Sequence, residues 1–165
     1  MRILLFALLC LVAVKAQAEG FAVRDLSTVA DEARAALGTG FLARAEPRRL
    51  ILSCPDCKGA PMIDLQLGRQ TDGTEERVRS GQTSLDQLEG LCRARNPACR
   101  LSGLSLAPAL GWVTSYPMGT GSGATAVILR DGDLLTIRAL AGSGEVAAGH
   151  VAALVRAVAP RIIGR

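Results

Sequence analysis

The sequence predicts a single α+β domain: a mainly antiparallel sheet built from two Asp-Gly hairpins, with helices packed on one side. Asp72-Gly73 and Asp131-Gly132 each stand between residues of strand character, and this dipeptide suits the type I′ turn of a two-residue hairpin. Apolar residues recur at helical spacing over 26–37, 84–95 and 145–158. The composition, 49% hydrophobic and 21% charged over 165 residues, is that of one globular domain and excludes disordered, collagenous and coiled-coil classes.

The chain opens on a short positive start, Met1-Arg2, then an unbroken apolar run over 3–14, then Ala16-Gln17-Ala18 with small residues at both key positions for signal-peptide cleavage. The expected cut follows Ala18, giving a leader over 1–18 and a periplasmic domain over 19–165. The run is shorter than the roughly 20 residues a membrane-spanning helix needs, so no stable anchor is expected after cleavage. Cys10 follows Leu9, whereas a lipid-anchoring box wants a small residue there. Losing Arg2 and Lys15 leaves 17 basic against 15 acidic side chains in 147 residues, a net charge of +2. With Phe21, Phe41, Trp112 and Tyr116 as its only aromatics, the mature chain lacks the basic patch and stacking residues of a nucleic-acid binder. Arg outnumbers Lys heavily, and Ala and Gly abound, the usage of a GC-rich bacterial genome.

In chain order, 26–37 reads as a helix with Ser27 as N-cap and Val29, Ala33, Ala36 and Leu37 at helical spacing, stopped by Gly38-Thr39-Gly40. A polar stretch over 44–49 leads to a buried strand at 50–53. Over 62–80 the pattern predicts a hairpin about Asp72-Gly73, with Thr71 opposite Thr74, Gln70 opposite Glu75, Arg69 opposite Glu76 and Leu67 opposite Val78. A helix over 84–95, capped by Thr83 or Ser84, carries Leu85, Leu88, Leu91 and Cys92 on one face and ends at Asn96-Pro97. Strands follow from Cys99 through Leu101, Leu104 and Leu106, and over 110–116. The stretch 124–129 is apolar on both faces and reads as central; Asp131-Gly132 turns it into 134–140, with Arg130 opposite Asp133 and Ile128 opposite Leu135. The last helix, 145–158, buries Ala147, Val151, Leu154, Val155 and Val158, and Pro160 ends it.

Four cysteines remain after cleavage, and an oxidising compartment allows three connectivities of Cys54, Cys57, Cys92 and Cys99. The local pairs are favoured, Cys92 with Cys99 across the Asn-Pro turn and Cys54 with Cys57 within one motif. Cys54-Pro55-Asp56-Cys57 has three readings: a passive disulfide, a thiol-exchange pair, or a metal site. Lys58 favours a thiolate, whereas Asp56 opposes one, and Gly59-Ala60-Pro61 starts a helix poorly. Copper(I) needs only two or three soft ligands, so Cys54 and Cys57 with Met62 make a copper alternative. A four-cysteine zinc site is disfavoured by the wide spacing of Cys92 and Cys99.

A strand followed by Cys54-Pro55-Asp56-Cys57-Lys58, a later Tyr116-Pro117, then strand, Asp-Gly turn, strand and helix resembles the thioredoxin family in order. The resemblance implies a divergent thioredoxin-like fold as the alternative, with Cys54 as nucleophile, Cys57 as resolving thiol and Pro117 as a cis proline beside them. The hairpin pattern over 62–80 replaces the family's long helix, and a glycine-rich loop follows Pro117 where the family has a strand.

The remaining candidates have structural readings beside the functional ones. His150 is the only histidine and borders an apolar stripe, so a packing role outweighs catalysis. The run Gly119-Thr120-Gly121-Ser122-Gly123 leads into a strand without a P-loop lysine and reads as a turn. Glu75 and Glu76 read as solvated strand residues rather than an acid–base pair. Arg77 and Arg79 read as edge protection or as recognition of an acidic partner. Trp112 and Tyr116 are the candidate binding residues, with a core role for Trp112 favoured. No complete set of nucleophile, base and stabilising groups can be assembled. The expectation is a non-catalytic periplasmic accessory or binding protein that holds no cofactor and engages another periplasmic protein or a small ligand. The alternative is a thiol-exchange or copper-handling protein acting through Cys54 and Cys57.

Overall fold

The computed structural model describes residues 20–165; the expected leader and its cut lie outside the described residues. Seven strands form the sheet: β1 (Leu42–Glu46), β2 (Arg49–Ser53), β3 (Met62–Arg69), β4 (Arg100–Leu104), β5 (Leu110–Met118), β6 (Gly121–Arg130) and β7 (Asp133–Ala141). Among the described residues five α-helices accompany them: α1 (Ala30–Leu37), α2 (Thr74–Arg79), α3 (Leu85–Arg95), α4 (Gly144–Ala157) and α5 (Ala159–Ile163). All strand pairs are antiparallel, in the order β1-β2-β3-β7-β6-β5-β4. The fold is therefore one α+β domain, as the patterning predicts. Among the described residues no helix is long and apolar enough to cross a membrane.

The core lies on one face of the sheet. Leu50, Leu52, Ile63, Leu65, Leu135, Ile137, Ala126 and Ile128 point there and pack with Ala33 of α1, Ala147, Val151 and Leu154 of α4, and Ile162 and Ile163 of α5. Each fully buried Leu or Ile contributes roughly 1.5–3 kcal/mol relative to exposure. The register puts Trp112 and Leu129 on the opposite face, outside that core, although both are buried. On this second face Leu85 of α3 sits over Gly103 of β4, where a Cβ would come within 2.9 Å of its Cδ1. The β4 side of the second face is thus covered by α3.

The β6–β7 hairpin has the expected register, Arg130 opposite Asp133 and Ile128 opposite Leu135. Asp131 and Gly132 both hold positive φ, 54° and 80°, as a type I′ turn requires.

The Asp72-Gly73 hairpin does not form. β3 is bordered by β2 on one edge and β7 on the other, so a returning strand would have no edge to pair with. The chain instead turns out of the sheet: Gly73, at φ 78°, precedes α2, and the Asp72 carboxylate accepts the Thr74 N–H at 3.0 Å. The predicted pairings of Thr71 with Thr74, Gln70 with Glu75, Arg69 with Glu76 and Leu67 with Val78 all fall with it. Arg69 pairs with Asp133 instead. Arg77 and Arg79 belong to a helix, so they protect no strand edge.

Smaller corrections have similar causes. Ser27 is not the cap of the first helix; a 3-10 turn over Leu26–Val29 precedes α1, and Asp25 accepts the Ser27 N–H at 2.9 Å. β1 falls in the stretch read as polar, because all five of its residues are exposed at the sheet edge. β6 is an interior strand, as its two apolar faces predict, flanked by β7 and β5. Leu91 points to solvent rather than sharing a covered face with Leu85, Leu88 and Cys92. Ser84 caps α3 reciprocally with Gln87. Pro160 opens α5 rather than closing the chain's last helix, since a proline in the first helical turn forfeits no intrahelical hydrogen bond. The thioredoxin-like alternative is overturned: β3 follows the cysteine motif, every pair is antiparallel, and Pro117 lies within β5 opposite Ser122, the cis bond being Ala107-Pro108.

Candidate functional site

The cysteine motif occupies the loop between β2 and β3. Cys54 is bonded to Cys57, with Cα atoms 5.3 Å apart. The loop closes on itself: the Cys54 N–H donates to Pro61 O at 3.1 Å and the Ala60 N–H to Cys57 O at 2.9 Å. Cys54 is buried in the main core, and Gly40 passes so close that a Cβ there would lie 3.0 Å from its Sγ. No helix begins at the motif, so the dipole that lowers the thiol pKa of exchange catalysts is missing from this segment. Met62 is not brought to the cysteines; it faces the opposite side of the sheet. Cys92 and Cys99, bonded with Cα atoms 5.9 Å apart, join the end of α3 to the start of β4 at the far margin of the sheet.

The half of the second face formed by β1, β2, β3 and β7 carries the chemistry that sequence reasoning missed. Strand register arranges it in ranks. Leu42, Ser53, Met62, Leu140, Gly123 and Tyr116 form one cross-strand row, and Arg44, Ile51, Asp64, Arg138, Thr125 and Thr114 form the next. Side chains two apart on a strand share a face, so the apolar row lies about 7 Å from the charged one.

Between them is a cleft of about 170 Å³, lined by Arg49, Ile51, Met62, Asp64, Tyr116, Met118, Arg138 and Leu140. Asp64 is buried at its floor. Its carboxylate accepts Nε and Nη2 of Arg49 at 2.9 and 3.2 Å, Nη2 of Arg138 at 3.3 Å and the Gln66 amide at 2.7 Å. The hydrogen bond and charge of Asp64 raise the pKa of the Arg49 guanidinium further. Tyr116 lies flat over Gly123, its hydroxyl 3.3 Å from Thr125 Oγ1, because no Cβ stands in the way.

Of the two aromatic candidates, then, Tyr116 lines the cleft while Trp112 is buried at 8% exposure. A signal for the cleft exists in the sequence: Asp64 and Arg138 are single charges inside apolar strands, and β3 and β7 place them opposite each other.

A wider depression of about 580 Å³ lies between α2 and the β6–β7 turn. Its Glu75 is engaged by the N–H groups of Asp131 and Gly132, at 3.1 and 3.0 Å, and by Arg79 at 2.8 Å. It is a clasp between α2 and the hairpin, not the solvated pairing expected of Glu75. His150 rests edge-on against Phe41, ring centroids 5.4 Å apart, and burial lowers its pKa. Gly119 and Thr120 form the exposed tip between β5 and β6. Neither protein-family models nor curated proteins give a match to the chain.

Proposed function

We propose that the chain is an exported periplasmic accessory or binding protein, non-catalytic and stapled by two disulfides, which works by contact through the uncovered half of its sheet. The observation that carries this is the cleft. Two guanidinium groups are held in place by one buried carboxylate, beside side chains that are apolar and open to solvent. Arginines fixed in this way are prepaid in rotamer entropy and suited to recognition. The cysteine motif supports the same reading, since Cys54 is packed into the core of a turn rather than presented at a helix N-terminus.

The test is thiol trapping of the protein isolated from the periplasm of expressing bacteria, equilibrated in graded glutathione buffers. Both bonds are expected to stay closed down to about −300 mV. Opening of Cys54–Cys57 alone between about −120 and −270 mV would replace this reading with a thiol-exchange one.

A further inference from the structure

The chemistry of the cleft is specific enough to name its occupant, an inference that rests on the binding role proposed above. We propose that the cleft receives an extended segment of a partner protein carrying an aliphatic side chain and, two residues along, an Asp or Glu carboxylate.

Size argues for a protein segment. At about 170 Å³ the cleft is below the roughly 300–1,000 Å³ of sites that enclose a small molecule, and it suits a single side chain. The surroundings are those of a contact surface. Among the described residues Leu42, Met62 and Met118, at 63%, 48% and 49% exposure, are three of the five exposed large apolar side chains, and all stand on this face. Methionine adapts its shape to a docking side chain.

Charge selects the sign. Arg49 and Arg138 share the carboxylate of Asp64, which leaves one positive charge uncompensated; the neighbouring Arg44 and Glu46 neutralise each other. Arg49 spends Nε and Nη2 on Asp64 and Arg138 spends Nη2. Among the described residues Nη1 of Arg49, and Nε and Nη1 of Arg138, have no partner, and half of each arginine side chain is open to solvent. A carboxylate answers those donors, whereas an ammonium is repelled. Spacing sets the motif. Met62 and Leu140 precede Asp64 by two residues and follow Arg138 by two, so the apolar wall and the guanidinium pair are one same-face step apart. An extended segment with apolar and acidic residues at i and i+2 matches that step. Asp64 is the positioning residue of the pair.

The probe is the capped peptide acetyl-Gly-Ser-Leu-Ser-Glu-Ser-Gly-amide, titrated at low salt into the 15N-labelled mature protein while amide shifts are followed. Saturable shifts confined to β2, β3, β5, β6 and β7 are expected. Replacing Glu by Lys or Leu by Ser in the probe, or Arg138→Gln in the protein, should each weaken binding about fivefold or more. Arg156→Gln on α4 should leave it unchanged. Arg138→Gln should also abolish discrimination between the Glu and Lys probes, which a merely structural role would not do. The inference is overturned by equal binding of the Lys probe or by no saturation up to about 5 mM. Shifts on the same face that depend on protein concentration without peptide would overturn it too, since a second copy would then be the occupant. Thiol trapping is independent of this titration, so a failure of the peptide inference and a failure of the binding role are told apart.

Discussion

The carboxylate of Asp133 accepts the backbone N–H of Phe21 at 2.8 Å, joining the start of the described chain to the first residue of β7. Arg24 and Arg69 complete the cluster. Asp133 is 2% exposed, whereas the two arginines are 64% and 59% exposed. Removing the carboxylate should therefore matter far more than removing either cation. Asp133→Ala is expected to lose about 2–4 kcal/mol, because a buried N–H is left unpaired. Arg24→Ala should lose less than about 1 kcal/mol. Urea unfolding midpoints of the two variants separate these outcomes, and equal losses would refute the asymmetry.

Glu75 predicts the acid behaviour. Partial burial pushes its carboxyl up, but the N–H groups of Gly132 and Asp131 together with Arg79 outweigh this and hold it below the ordinary glutamate value. With the folded value lower than the unfolded one, near pH 4.3, its stabilisation is present above that pH and lost as pH falls through the folded value. Stability measured from pH 5 downward should decline less steeply in Glu75→Gln than in the natural protein. Parallel curves would mean the clasp contributes nothing.

For His150 the cause is burial alone, which lowers its pKa and favours the neutral ring beside Phe41. The unfolded chain takes up its proton first, near pH 6.5. Stability is therefore lost as pH drops from about 6.5 toward the folded value. NMR titration of the single imidazole should give a midpoint below 6.5, and His150→Gln should remove that part of the decline.

Two glycines of β6 should respond differently to a methyl group. A Cβ on Gly123 would meet the ring of Tyr116 at 2.6 to 2.9 Å, and that side chain can swing into the cleft. On Gly121 it would meet the Ala141 carbonyl oxygen at 2.7 Å, which is backbone and fixed in the sheet. Gly123→Ala is expected to cost about 1 kcal/mol and to shift the Tyr116 ring resonances, whereas Gly121→Ala should cost about 2–3 kcal/mol. Calorimetry ranks the pair; the reverse order would show that Tyr116 is the more rigid neighbour.

The Cys92–Cys99 bond fastens α3, none of whose residues is fully buried, to edge strand β4. Glu89 adds a second tie by accepting the Leu101 N–H at 2.9 Å. Cys92→Ala with Cys99→Ala should cost about 2–3 kcal/mol by loop entropy. Hydrogen exchange should show α3 losing protection before the sheet does.

What the sequence shows and hides follows from how far apart partners lie. The β6–β7 hairpin, the capping of α3 and the apolar stripe of α4 are set by residues within a few positions of one another, and these are readable without the fold. The Asp72-Gly73 turn has the same local signature as Asp131-Gly132, yet its outcome depends on β7, 64 positions beyond Arg69, having taken the edge. β1 has no buried residue and so leaves no periodic trace. The cleft is only half legible for the same reason: Asp64 and Arg138 stand out as single charges inside apolar strands, but they and Arg49 meet only after the sheet is ordered.

The N–H groups of Ala22 and Val23 both donate to the carbonyl of Ile162, at 2.9 and 3.2 Å. Residues 20–165 thus close nearly into a ring, with its seam at the Asp133 end of β7, while the exposed Gly119-Thr120 tip and the apolar row stand at the other end, about 27 Å away along the strand. In a chain of residues 20–165, closing the seam with a short linker and opening the tip would yield a circular permutant with every described strand and helix intact. Conversely, a fluorophore, bead or surface grafted at the seam would hold the molecule like a brush by its handle, with the cleft side left free to sweep the solution.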